Sequence, residues 1–132
     1  MANAVAVLMQ ETDLPVQMTC ADAAIAKGTV LKLSAANTVA ATSADNDVYG
    51  GIAAEEKISG DGKLMIAVYR KGLFKCEAGT TGVTIGKPVG MEALNEFKDA
   101  TAADCDLGYN FGIARETAAN GEFFLLDLGS IA

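Results

Sequence analysis

The sequence predicts an all-β protein: a small β-barrel or sandwich built from two related halves, with an extended N-terminal arm and at most one short helix. Two observations predict this class. The string Gly-Ile-Ala-x-Glu occurs at residues 51–55 and again at 112–116, and a repeat with this spacing indicates two related units closing on one core. Fourteen glycines are also spread between short apolar runs, which is typical of barrels and sandwiches rather than helical bundles.

The similarity between the halves extends beyond the repeated string. An aromatic residue precedes each copy, Tyr49 in the first and Phe111 in the second, and a glycine-containing turn followed by an apolar run comes after each. Upstream, residues 27–30 pair loosely with residues 85–89. We therefore expect a pseudo-repeat whose units cover about residues 27–77 and 85–130.

A chain of 132 residues is long enough for one domain with its own core and short for two. We expect a single β domain over residues 21–132, preceded by an arm and edge strand over residues 1–20. Short apolar runs between turn signals predict the strands of that domain. These predicted strands are residues 29–33, 37–42, 48–55, 64–69, 73–77, 83–85, 87–91 and 123–128. Residues 91–100 are compatible with either one helical turn or a hairpin.

The predicted arm contains two β-capable runs, residues 4–9 and 14–19, and Pro15 is tolerable only at the start of an edge strand. Apolar side chains in such a segment are costly to leave in water, so we expect an ordered arm that packs against something else. A disordered terminus is the alternative. The candidate partner-binding residues of the arm are Val5, Val7, Leu8, Met9, Leu14 and Val16.

Composition excludes several classes of function. The net charge of −7 opposes binding to phosphate backbones, so no nucleic-acid partner is expected. The longest apolar runs are about six residues, far below the ~20 that span a bilayer, so no membrane partner is expected. Residues 1–26 contain no Lys or Arg, which argues against the charged start of a secretory signal.

No residue set in the sequence motivates an enzyme, a cofactor site or a metal site. Histidine is absent, which removes the usual base of nucleophilic hydrolases. Cys20, Cys76 and Cys105 are odd in number and widely spaced, so we expect reduced thiols acting as small apolar side chains.

Three patterns approach a functional motif without matching it. Residues 82–88 have three residues between their glycines and Pro88 after the lysine, where a phosphate loop needs four residues and a Ser or Thr. Residues 45–56 resemble a calcium loop, but Tyr49 occupies the fifth position. Glu55 and Glu116 occupy equivalent places in the repeat, and duplication alone accounts for that pairing.

The order of these elements resembles a family of small tailed-phage head proteins, the capsid decoration or cement proteins, over roughly residues 15–130. Some members formerly carried the label of predicted RecA/RadA-type phage recombinases, and the missing phosphate loop argues against taking that label literally. The similarity rests on these segments: residues 27–33, the Gly-Ile-Ala-x-Glu strand at 51–55, residues 68–74, residues 85–89, and the second Gly-Ile-Ala strand at 112–114.

The resemblance implies a β-barrel-like protein without enzymatic activity. It implies assembly, often as trimers, on the outer surface of an icosahedral head, where the protein braces neighbouring major capsid subunits. Its partners would be the major capsid protein and itself, and it would be made in the host cytoplasm before joining the virion. The alternatives are another virion β module, such as a head-fibre base or tail-associated protein, and a small glycan- or ligand-binding β domain.

Overall fold

In the computed structural model, which describes residues 4–129, the fold consists of eleven strands and one short helix, and the all-β prediction is confirmed. The elements in chain order are β1 (Val7–Gln10), β2 (Val16–Cys20), β3 (Val30–Ala35), β4 (Thr38–Ala41), β5 (Tyr49–Ala53), β6 (Met65–Tyr69), β7 (Gly72–Ala78), β8 (Pro88–Ala93), β9 (Glu96–Asp99), α1 (Ala102–Asp106), β10 (Gly112–Ala114) and β11 (Phe123–Leu128).

The strands form two five-stranded barrels with the same topology. The first barrel has the order β2-β4-β3-β5-β6, and the second has the order β7-β9-β8-β10-β11. Each contains a single parallel pair, β2 with β4 and β7 with β9, while its other neighbours are antiparallel. Strand β1 lies outside both closed rings and pairs antiparallel with β7.

The two related halves are therefore present, but they begin earlier than the sequence repeat indicates. The expected first unit, residues 27–77, contained β7, which is the opening strand of the second barrel. The opening strand of the first barrel is β2, which lies in the expected arm and pairs along its length with β6. The sequences of β2 and β7, VQMTC and GLFKCEA, share too little to reveal this equivalence.

Each barrel has its own buried core. The first is filled mainly by aliphatic side chains, among them Met18, Leu31, Ile66 and Val68. The second is built around four fully buried phenylalanines: Phe74, Phe97, Phe111 and Phe124. Edge-to-face contacts join Phe97 to Phe111 and to Phe124, an arrangement that adds to the stabilisation from burial.

The second core continues onto the outer surface of the first barrel. Val30 and Ile52 belong to the first barrel, yet they are fully buried within the cluster of the second. The buried Val30 N–H donates to Asn95 Oδ1 at 2.8 Å, and Asn95 N–H donates to Thr42 Oγ1 at 3.2 Å. Asn95 lies in the β8–β9 turn, so this turn of the second barrel makes a buried polar contact with the first, alongside the backbone hydrogen bond from Asn46 N–H to Met91 O.

The glycine of the repeated string is required by close strand approach. Gly51 has φ +133°, and a Cβ there would lie 2.5 Å from Tyr69 O on the neighbouring strand β6. A Cβ on the equivalent Gly112 would overlap Asp127 O of β11. The repeated Gly therefore reflects the same backbone contact in both barrels.

The structure corrects one predicted strand and selects one of the two alternatives for residues 91–100. Residues 83–85 are not a strand: Val83 forms only an isolated bridge with Ala118. Residues 91–100 take the hairpin alternative, and the helix lies further on, at Ala102–Asp106. That helix is explained by a capping box, in which Thr101 and Asp104 each accept a hydrogen bond from the backbone N–H of the other.

Among residues 4–129, no helix has the length and apolar character needed to cross a membrane.

Candidate interaction surface

The six candidate arm residues all expose their side chains. Leu14 is the most exposed at 76%, and Met9 and Val7 follow at 55% and 53%. Val5, Leu8 and Val16 are exposed to a lesser degree. Because these apolar side chains lie within thirteen consecutive residues, the structure brings them into one segment, which we call the arm surface (residues 4–16).

The arm surface is held firmly to the rest of the molecule. Ala6 is buried, and its N–H donates to Gly28 O of the first barrel at 2.8 Å. Strand β1 pairs with β7 of the second barrel, with Val7 opposite Lys75 and Leu8 opposite Phe74. The arm therefore bridges the two barrels, and its exposed side chains project from a fixed backbone.

Glu77 is the residue that sequence reasoning missed at this site. Its side chain is buried, with 2% of the residue exposed, and its Oε1 accepts a hydrogen bond from Ala4 N–H at 2.9 Å. The only signal in the sequence was a single acidic residue near the end of an apolar strand. That signal does not identify Glu77 as a contact residue unless the position of the arm is already known. Glu77 fixes the start of the arm.

The end of the arm surface is acidic. Tyr69 O–H donates to Glu11 at 2.8 Å, and this hydrogen bond raises the pKa of the Tyr69 hydroxyl above its ordinary value. Asp13 follows on the same exposed connection between β1 and β2. Apolar side chains flanked by carboxylates suit a partner with apolar and basic groups.

Glu55 and Glu116 have the same structural role in the two barrels. Each carboxylate accepts a backbone N–H at 2.8 Å, from Ala67 of β6 in one case and Leu125 of β11 in the other. Glu116 also binds Lys75 Nζ at 2.7 Å, and this contact lowers the pKa of its carboxyl. In both barrels, the glutamate of the repeated string therefore binds the backbone of the last strand.

The two motif-like loops also have structural roles. In residues 82–88, Gly82 closes a turn and Val83 N–H donates to Ala118 O at 2.9 Å. In residues 45–56, Asp45 pairs with Lys98, and Asp47 accepts the N–H groups of Ser43 and Ala44. Across residues 4–129, no three Cys, Asp or Glu side chains group to hold a metal ion.

A buried lysine closes one end of the first barrel. Lys57 Nζ lies 2.6 Å from both Asp22 Oδ1 and Asp61 Oδ1, and its side chain is 2% exposed. Burial alone would lower the pKa of Lys57, but the two carboxylates outweigh it and raise that pKa, while hydrogen bonds from Lys57 lower the pKa of Asp22 and Asp61. No pattern in the sequence analysis pointed to this cluster.

Comparison with known proteins gave one informative similarity. No family model matches the chain, and no curated protein matches it. Among solved structures, the chain is similar to the crystal structure of the head fibre gp8.5 N base of bacteriophage phi29, with 16% identity and a TM-score of 0.57. The similarity covers 94% of this chain and 98% of that one, so it includes both barrels and shows a common fold.

Proposed function

We propose that the protein is a structural component of a tailed-phage virion that binds the outer surface of the head and stabilises contacts between major capsid subunits. The observation that carries this proposal is the similarity to a phage head-fibre base over nearly the whole of both chains. The resemblance to capsid decoration proteins, which rests on other features, points to the same particle.

The arm surface is the part of the molecule best suited to contact the shell. Six exposed apolar side chains on a backbone that is already ordered can be covered by a partner with little further loss of conformational entropy. Weak contacts repeated over many copies would then stabilise the shell by multivalency. Assembly of the protein as a trimer belongs to the same proposal.

The base of a head fibre is the second candidate, and the structural similarity favours it because the solved neighbour is described as such a base. The two roles differ in what surrounds the protein on the particle. A decoration protein bridges capsid subunits, whereas a fibre base carries further chain outward. Cryo-electron microscopy of particles assembled with and without the protein separates them.

A binding experiment tests the arm surface. Deleting residues 1–12 is unsuitable, because it would also remove β1 from β7 and uncover Glu77. We suggest instead the double variant Val7→Glu with Met9→Glu, which changes exposed side chains of β1, and Val7 lies opposite the outward Lys75. The control is the double variant Ile85→Glu with Leu107→Glu, which changes exposed apolar residues outside the arm surface.

Heads that lack the protein are mixed with each variant and sedimented. We expect the wild type and the control to bind and to raise the temperature at which the heads open, and the arm variant to bind at least tenfold more weakly. Failure of the wild type to bind heads would contradict the proposed function. Equal binding by both variants would contradict the role of the arm surface but would leave the proposed binding to heads standing.

A further inference from the structure

The edge of β2 at Val16 and Gln17 is unpaired in the described part of the chain, whereas the equivalent edge of β7 is covered by β1. In β7, the parallel neighbour β9 pairs only with Glu77 and Ala78, and β1 continues that side along Leu73, Phe74 and Lys75. In β2, the parallel neighbour β4 pairs only with Thr19 and Cys20. No strand among residues 4–129 continues that side of β2.

The equivalence of the two edges is fixed by hydrogen bonds. Cys20 N–H donates to Leu64 O, and Ala78 N–H donates to Glu122 O, so these residues face the last strand of their barrels. Thr19 N–H donates to Asn37 O on the opposite side. Since alternate residues of a strand face alternate neighbours, the backbone of Gln17 faces the same side as Thr19, and it corresponds to Lys75.

We propose that this edge of β2, with Leu14 and Pro15 just before it, accepts an extended strand of another virion protein, which pairs antiparallel with β2 as β1 pairs with β7. The identity of the partner as a virion protein rests on the proposed function, whereas the binding edge itself does not. The pattern on β7 indicates what the guest strand contains. Leu8 lies opposite Phe74, whose equivalent is Val16, so an apolar guest residue opposite Val16 is expected.

The surroundings of the edge support such a guest. Leu14 and Val16 expose apolar side chains that a strand would cover. Glu11 and Asp13 lie just before the edge, and the chain carries a net charge of −7, so basic residues flanking the guest strand are favoured. Backbone pairing at a free sheet edge provides affinity without a preformed pocket.

The probe for this proposal is a fluorescent peptide with the sequence of residues 4–10 and a lysine at each end. Its binding to the full chain is measured by anisotropy, and hydrogen exchange is followed at the amides of Gln17 and Lys75. We expect saturable binding, with the Gln17 amide exchanging rapidly before binding and at least tenfold more slowly afterwards. The Lys75 amide should stay protected throughout, because β1 already covers it.

Gln17→Pro removes the N–H that faces the open edge. Val16 and Met18 pair with β6 and are unchanged, so the register of β2 on β6 is retained. We expect this variant to bind the peptide at least tenfold more weakly. Gln17→Val is the matched control and should bind as the wild type does. If the proline variant does not fold, Val16→Glu provides the same test through the guest-facing side chain.

Three results would overturn the proposal. These are a Gln17 amide that is already protected in the free monomer, a peptide that deprotects Lys75 by displacing β1, and self-association of the wild type that Gln17→Pro abolishes. The third would assign the edge to a second copy of this chain. None of these results bears on whether the protein binds heads, so the two proposals fail separately.

Discussion

Replacing Asn95 with Ala tests how the two barrels are joined, and the repeat supplies the control. Asn95 is buried, its φ is +60°, and its Oδ1 accepts the N–H of Val30, which is itself fully buried. The equivalent turn residue of the first barrel, Asn37, has φ +49° but is exposed. Both positions need a left-handed backbone, and only Asn95 carries the contact between the barrels.

The two substitutions therefore differ in the buried hydrogen bond from Val30 N–H, which Asn95→Ala removes and Asn37→Ala does not. Alanine in a left-handed conformation costs about 1 kcal/mol more than asparagine, and this applies to both variants. Leaving the Val30 N–H buried without its acceptor costs about 1–3 kcal/mol more, and this applies to Asn95→Ala alone. For a chain of this size, about 1 kcal/mol lowers Tm by roughly 4 °C.

Thermal and urea unfolding followed by circular dichroism measure the difference. We expect Asn37→Ala to lower Tm by about 4 °C and Asn95→Ala to lower it by about 8–16 °C. Glycine adopts the left-handed backbone at little cost, so Asn95→Gly should lower the free energy of unfolding only by the lost hydrogen bond, about 1–3 kcal/mol. Equal losses for Asn37→Ala and Asn95→Ala would refute the view that this turn joins the barrels.

Two further predictions concern the repeated glycine and the buried lysine. Gly51→Ala should destabilise the protein by at least about 2 kcal/mol more than Gly60→Ala, as measured by urea unfolding. Both glycines have positive φ, but only the Cβ at residue 51 would overlap a neighbouring strand. Similar losses of stability in the two variants would contradict the overlap. The lowered pKa values of Asp22 and Asp61 mean that their stabilisation is complete above their ordinary pKa of 3.8 and is lost as the pH falls below it. The raised pKa of Lys57 means that its stabilisation is complete below its ordinary 10.5 and is lost as the pH rises through the raised value. Tm measured against pH should therefore fall at both extremes, and Lys57→Met should lower Tm at neutral pH and weaken the acid dependence; an unchanged acid dependence in that variant would contradict the role of the cluster.

The strands could be predicted from the sequence because their signals are local. An apolar run that follows a glycine-containing turn located β11 at residues 123–128 without error, and the repeated string marked β5 and β10. The partners of each strand could not be predicted in the same way. Closure of each barrel depends on a parallel pair between two strands that have one other strand between them in the sequence, and no local pattern specifies that Glu77 will lie beside Glu96.

The candidate site shows the same limit. The apolar character of Val7, Met9 and Leu14 is visible in the sequence, and all three side chains are exposed in the folded chain. That β1 would cross to the second barrel depends on Lys75 and Glu77, which lie more than sixty residues away along the chain. Such a contact appears only once both barrels are folded.

The second barrel lacks the polar groups by which the first barrel holds the Asn95 turn. The positions equivalent to Val30 and Thr42 are Pro88 and Ala100, as the matching hydrogen bonds from Thr42 N–H to Val30 O and from Ala100 N–H to Pro88 O show. Pro88 has no N–H to donate, and Ala100 has no hydroxyl to accept, so the second barrel cannot hold an asparagine as the first barrel holds Asn95. The exposed Asn37 turn of another copy therefore finds no matching polar groups there. Within residues 4–129, the Asn95 contact therefore has no counterpart on the second barrel.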